Sequence, residues 1–323
     1  MLQYLIIQLD DASTSYCHYT NIRNEKRLIS LDDLRAGILW AMKENLMIQY
    51  VLPDYELPAE YIEVMESIDN SKIVSSHSTM INNADVIVLN GWEKGFTFRE
   101  NGIYVLRITK DSLFAYSEEI KMVLSAVTRL NIVITDVETF TDADCETYKI
   151  VLESFAKEVE KLYVAGKSPQ LNLLTDRMML DKMNNCNAGY ESITLAPDGC
   201  FYVCPAFYLA NEDDDFGLGK SKYNVGNLID GLDIKNPQLY RLDHAPICRH
   251  CDAYQCKRCV WLNRKTTYEV NTPSREQCVV AHIERNVAAQ LLASIRTYGE
   301  FLPERNGIEV LECLDPFEKA NKW

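Results

Sequence analysis

Eight of the eleven cysteines in this 323-residue chain fall between Cys186 and Cys278. They are Cys186, Cys200, Cys204, Cys248, Cys251, Cys256, Cys259 and Cys278. At their centre lie two Cys-x2-Cys pairs, CRHC at 248–251 and CKRC at 256–259, with four residues between them. Deprotonated cysteine is the common ligand of zinc and of iron–sulfur clusters, typically four thiolates to a site. A Cys-x2-Cys turn brings two sulfurs to one point from a short loop. The four residues between the pairs are too few to fold all four sulfurs around one ion, so the run is expected to serve two sites. Three cysteines upstream and one downstream complete the count of eight, enough for two four-ligand sites. The competing reading is buried structural cysteine. It sits poorly with Arg249, His250, Lys257 and Arg258 between the thiols, because apolar packing does not select such neighbours. Zinc and iron–sulfur clusters use the same ligands, and the spacing leaves both open.

Other candidates are weaker. Asp10 and Asp11 end the first apolar run, where they could bind a metal or an amine or simply form a turn. Cys17 and His18 are a conceivable nucleophile and base, but adjacent residues rarely face each other. His250 could add a ligand within the first pair, whereas His244 and His282 read as surface or helix-face residues. The acidic run Glu212, Asp213, Asp214 and Asp215 reads as a solvated loop. Phosphate-binding, dinucleotide-binding, zinc-protease and serine-hydrolase motifs are all missing.

The elements that must position these groups come from periodicity. Strand-like runs at 2–9, 47–53, 72–76, 85–91, 102–108, 131–137 and 171–175 alternate with helical patterns at 30–45, 58–68, 112–130 and 141–164. Ser30 and Asp33 predict a helix start of capping-box type. Apolar strands separated by helices of this length predict parallel pairing with helical crossovers. The expected fold class is α/β, a partial or complete (β/α) barrel, with an open doubly wound sheet as the alternative. Beyond about 180 the pattern changes to a hairpin at 191–207 turning at Pro197-Asp198-Gly199, a polar loop at 211–228, the cysteine run and a helix at 277–302. The expected division is therefore a β/α domain over 1–180, a small Cys-rich domain over 181–303, and a tail over 304–323.

Composition narrows the function. Hydrophobic content of 47% and charged content of 25% are those of a globular chain. A formal net charge of −14 argues against nucleic acid as a partner. No apolar run reaches the length of a membrane span, and the N-terminus lacks the basic start and cleavage site of a secretory signal. A cytoplasmic, reducing location is the expectation, where clustered cysteines are metal ligands or redox thiols more often than disulfides.

The order of the cysteines resembles the SPASM domain, the auxiliary-cluster domain of radical SAM peptide-modifying enzymes. Cys186 is followed by twelve residues, then Gly199 and Cys204 in a Gly-x4-Cys step. The central run, Cys248-x2-Cys251-x4-Cys256-x2-Cys259, is one residue shorter at two places than that family's Cys-x2-Cys-x5-Cys-x3-Cys. Cys278 closes the pattern. The resemblance implies two [4Fe–4S] clusters, with zinc as the alternative occupant. It would give Cys186, Cys204 and Cys259 to one cluster, with Cys200 as a fourth ligand. It would give Cys248, Cys251, Cys256 and Cys278 to the other.

The front half resembles a radical SAM barrel, with one departure. Those enzymes carry Cys-x3-Cys-x2-Cys after the first strand, where three thiolates hold a cluster whose open iron takes S-adenosylmethionine. Here the loop reads LDDASTSYCHYTN and holds Cys17 alone. One thiolate does not hold that cluster, so radical SAM chemistry by this chain alone is not expected. The combination of a lost cluster loop and a retained SPASM pattern resembles the CXXX repeat peptide maturases. That resemblance implies maturation of a small Cys-repeat precursor peptide, with a radical SAM protein as a possible partner. A non-catalytic peptide-recognition scaffold is the alternative.

Overall fold

The computed structural model describes residues 2–23, 26–180, 186–210, 223–254, 256 and 259–303. In chain order its regular elements begin with β1 (Tyr4–Gln8), α1 (Leu31–Lys43), β2 (Met47–Val51), α2 (Ala59–Met65), β3 (Asn70–Ser75) and β4 (Val86–Asn90). Next come β5 (Ile103–Ile108), α3 (Lys110–Ala115), α4 (Ser117–Val123), β6 (Arg129–Ile134), α5 (Asp142–Val164), β7 (Gln170–Leu171) and α6 (Thr175–Met179). The last stretch contains β8 (Ser192–Leu195), β9 (Cys200–Tyr202), α7 (Pro205–Leu209), β10 (Asn224–Asn227), β11 (Gly231–Leu232), α8 (Val260–Thr267) and α9 (Arg275–Ile295). The chain divides into two compact units, each drawing on both halves of the sequence: 1–88 with 186–244, and 89–185 with 245–323.

In the first unit the strands run in the order β11-β10-β9-β8-β1-β2-β3-β4. From β8 to β4 all neighbours are parallel, as strand–helix alternation requires. β1 lies inside this row between β8 and β2, and its Leu5 and Ile7 are fully buried. The helix α1 starts where expected: the Ser30 hydroxyl accepts the Asp33 N–H at 3.0 Å and donates to the Asp33 carboxylate at 2.7 Å. From β8 the chain turns back through Gly199, whose φ of +75° suits glycine, into antiparallel β9. The hairpin lies where Pro197-Asp198-Gly199 predicts it.

In the second unit β5, β6 and β7 are parallel. The long helix α5 opens with a capping box between Thr141 and Asp144 and packs on α9, which opens with another between Ser274 and Gln277. Two elements differ from the periodicity. The single helix expected over 112–130 is two, because the chain leaves helical geometry at Tyr116 and the Ser117 hydroxyl donates to the Phe114 carbonyl at 3.2 Å. The strand expected over 171–175 stops after Leu171. The Thr175 hydroxyl takes the Leu171 N–H at 2.7 Å and donates to the Leu171 carbonyl at 3.1 Å, which turns the chain into α6. Among the described residues no helix is long and apolar enough to cross a membrane.

Candidate metal centre

The cysteine run lies in the second unit, on the loop that precedes α8. Cys248 is buried and opens a short 3-10 turn whose closing bond runs from the Cys251 N–H to the Cys248 carbonyl at 3.1 Å. This turn is what the CRHC spacing encodes. The Cys251 sulfur accepts the Ala253 N–H at 3.4 Å and lies 3.5 Å from His282 Nε2. Burial pushes the Cys256 thiol well up, the neighbouring Cys248 and Cys251 add to this, and the Arg177 guanidinium pulls it back down. Cys248 and Cys251 are thus both within electrostatic reach of Cys256. Cys259 caps α8, its sulfur accepting the Leu262 N–H at 3.5 Å. Cys278 sits buried in the first turn of α9.

Around this loop stands a buried ionic frame that no local motif announces. Arg177 on α6 pairs with Glu284 on α9, and the Tyr148 hydroxyl donates to Glu284 at 2.7 Å. Arg177 also donates to the Tyr254 carbonyl, and Arg285 donates to Asp252 at 2.8 Å. Arg177, Glu284, Arg285 and Asp252 are all buried. Two arginines held at the backbone and side chains of 252–254 tie the cysteine loop to α6 and α9. Cys278, His282 and Arg285 are spaced by four and three residues on α9, a helical stripe that could have singled out His282.

The other three of the eight, Cys186, Cys200 and Cys204, are in the first unit, as is Cys17. Cys204 immediately precedes α7; burial raises its thiol strongly, and Cys186 and then Cys17 raise it further. Cys186 is exposed. Cys200 begins β9, where burial and then the Asp198 carboxylate raise its thiol while Asn224 and Arg27 oppose them. Cys186 and Cys17 thus both lie within electrostatic reach of Cys204, and Cys17 is a neighbour that spacing alone did not indicate.

Asp10 and Asp11 are buried and engaged by their own chain. Asp10 accepts the Ala12 N–H at 2.7 Å and the Tyr55 hydroxyl at 2.8 Å. Asp11 pairs with Arg23 at 3.3 Å and accepts the Tyr208 hydroxyl at 2.6 Å, while the Arg23 guanidinium stacks 3.7 Å over the Tyr208 ring. They anchor the segment after β1. His250 is exposed, and His244 pairs with Asp243 at 3.1 Å on the surface. The acidic run 212–215 lies outside the described residues, as does the tail 304–323.

Over about nine-tenths of its length the chain superposes on solved structures of anSMEcpe, a radical SAM enzyme. Against anSMEcpe with bound AdoMet and Cp18Cys peptide, the match covers 92% of this chain and 100% of that one, at TM-score 0.56 and 12% identity. Against a histidine-tagged form of the same enzyme with bound AdoMet, it covers 92% and 96%, at TM-score 0.58 and 12% identity. The fold is of the radical SAM type. No protein-family model matches the sequence, and no curated protein does.

On this radical SAM-type fold the donor chemistry differs from place to place. After β1 the single Cys17 does not fit a cluster that needs three thiolates. The loop 248–256 does fit an anionic cluster by donor type. It carries three thiols, two of them within electrostatic reach of the third, and it is flanked by the buried Arg177 of α6 and Arg285 of α9, whose Nη2 has no hydrogen-bond partner among the described residues. Among the described residues no three Cys, His, Asp or Glu side chains stand together as a group able to hold a single metal ion.

Proposed function

We propose that this chain serves the maturation of a ribosomally made Cys-repeat peptide, as an iron–sulfur maturase or as a maturase subunit acting with a radical SAM partner. The observation that carries the reading is a radical SAM-type fold whose loop after β1 holds Cys17 alone, followed by eight cysteines in SPASM order. The anSMEcpe structures that share the fold include complexes with peptide, which supports a peptide partner here. In this reading residues 181–303 act as the SPASM-like domain. Cys248, Cys251, Cys256 and Cys278 hold one [4Fe–4S] cluster, and Cys186 and Cys204 contribute to a second, for which Cys17 joins Cys200 as a candidate ligand. A cluster held by four thiolates would supply electron transfer, and one held by only three would leave an iron open to a substrate thiol. The chain's own residues hold the thiolate loop in place and set its electrostatics.

A specific observation also favours a non-catalytic peptide-recognition scaffold: the missing thiolates leave S-adenosylmethionine no cluster of the usual kind on this chain. One oxygen-free experiment separates the two. The purified chain is assayed for iron and sulfide. It is then incubated with S-adenosylmethionine, reductant and a synthetic peptide carrying cysteine at every fourth residue, with and without a radical SAM partner. Maturation predicts bound iron and sulfide and a peptide mass change. Scaffolding predicts peptide binding with no mass change and no 5′-deoxyadenosine. Iron well below one cluster per chain overturns the iron–sulfur reading.

A further inference from the structure

We propose that His282 is a positioning residue for the thiolate centre of the second unit, donating its Nε2–H to the Cys251 sulfur. This inference rests on the iron–sulfur reading of that centre and adds a residue that the cysteine pattern does not contain. His282 lies one turn beyond Cys278 on α9 and is 8% exposed. Its Nε2 is 3.5 Å from Cys251 Sγ, within hydrogen-bonding range for sulfur. The Ala253 N–H approaches the same sulfur at 3.4 Å. The next residue of the loop, Asp252, is held by Arg285 at 2.8 Å, one turn further along the same helix. Two contacts from one face of α9 therefore fix the loop 251–253, and one of them is made at the sulfur itself.

A sulfur that faces two N–H groups is prepared for negative charge. Hydrogen bonds to cluster sulfurs stabilise the reduced, more negative state over the oxidised one and so raise the reduction potential. His282 would thereby set the potential of the cluster held at Cys251. A contact made only for packing would leave that potential where it is. The chemistry also sets what can replace the imidazole: glutamine keeps an N–H donor on a side chain of similar reach, whereas leucine fills the space without one.

The test uses the full chain purified without oxygen. Redox titration followed by electron paramagnetic resonance is run on wild type, His282→Leu and His282→Gln, with iron counted for each. The expected result is a negative shift of one of the two cluster potentials in the leucine variant, with iron retained and the other potential unmoved. Glutamine should restore most of the shift. In parallel, wild type labelled with 15N in the imidazole of histidine should show a nitrogen hyperfine coupling to the reduced cluster that His282→Gln abolishes. An unchanged potential in the leucine variant at full iron content overturns the proposal, as does a wild-type spectrum without that coupling. If the leucine variant fails to fold, the labelled wild type and the glutamine variant still decide. Iron below one cluster per chain in wild type sinks the function reading along with this one, whereas full iron with unmoved potentials sinks this one alone.

Discussion

Arg177 and Glu284 form an ion pair in which both side chains are buried, linking α6 to α9 directly behind the cysteine loop. Glu284 has a second partner in the Tyr148 hydroxyl, and Arg177 a second acceptor in the Tyr254 carbonyl. Removing one member of such a pair strands the other without water. Arg177→Met or Glu284→Gln should therefore destabilise the chain by about 3–5 kcal/mol. Tyr148→Phe, which removes only the charged hydrogen bond, should cost about 1.5–3 kcal/mol. The double variant Arg177→Met with Glu284→Gln should recover part of the loss, because no charge is left buried. Urea unfolding of the four variants at neutral pH gives the coupling directly. Additive losses would show that the pair is not a unit.

The cysteine loop makes a prediction about metal content. If Cys248, Cys251, Cys256 and Cys278 share one cluster, Cys251→Ala and Cys256→Ala should each remove about four irons per chain and leave the other cluster's four. Cys145, in the second unit on α5 and away from the motif, should be replaceable by Ser with no change in iron. Cys17→Ser and Cys200→Ser then form the informative pair in the first unit. The thiol field around Cys204 comes from Cys186 and Cys17, whereas Cys200 faces Asp198 and Asn224. Iron loss in Cys17→Ser with none in Cys200→Ser is the expected pattern, and the reverse would return the fourth position to Cys200.

Local signals made much of this legible. Ser30 with Asp33 marked the start of α1, and Pro197-Asp198-Gly199 placed the β8–β9 turn, because caps and turns are written in consecutive residues. The alternation of apolar strands and helices pointed to an α/β fold with parallel strands, and the family resemblance pointed to its radical SAM type. Side chains that work across long separations were not legible. Arg177 and Glu284 are 107 positions apart, and neither has a neighbour in sequence that announces the pair. Tyr208 reaches Asp11 across 197 positions, so the sequence left the carboxylate pair after β1 between a ligand site and a turn, without showing that Tyr55, Tyr208 and Arg23 bind its oxygens. The break at Tyr116 was hidden for a different reason: the apolar stripe runs on through it, and only the Ser117 hydroxyl bond shows where the backbone departs.

The start of α5 has a pH signature. The Lys110 ammonium at 2.7 Å, followed by the hydroxyl and backbone N–H of Thr141, holds the Asp144 carboxyl down at about 2. An unfolded aspartate titrates near about 3.9. A depressed carboxylate contributes stability that is complete above the unfolded value and fades as pH falls through the folded one. Anchorage of the α5 N-terminus should therefore weaken between about pH 4 and pH 2. Asp144→Asn should lower the melting temperature at neutral pH and flatten its fall across that acid window. Because the pair lies near the surface, added salt should shrink the difference between wild type and variant. An unaltered acid slope in the variant would show that Asp144 is not the group responsible.

Packing of α1 on the central strands depends on a missing side chain. Gly37 is buried in α1, and a Cβ there would run into the fully buried Leu195 of β8. Ile7 of β1 lies just beyond, 3.8 Å from the same point. On an open helix face Gly→Ala stabilises by about 1 kcal/mol. Here the overlap with a side chain that has nowhere to move should win, and Gly37→Ala should cost about 1–3 kcal/mol. Shortening the obstacle tests the cause. In a Leu195→Val background, the alanine at 37 should be nearly neutral or stabilising, because the valine leaves room while the helix keeps alanine's backbone advantage. Thermal unfolding of the two single variants and the double variant measures this. A Gly37→Ala variant that is stabilised in the wild-type background would mean that α1 stands further from β8 than its glycine implies.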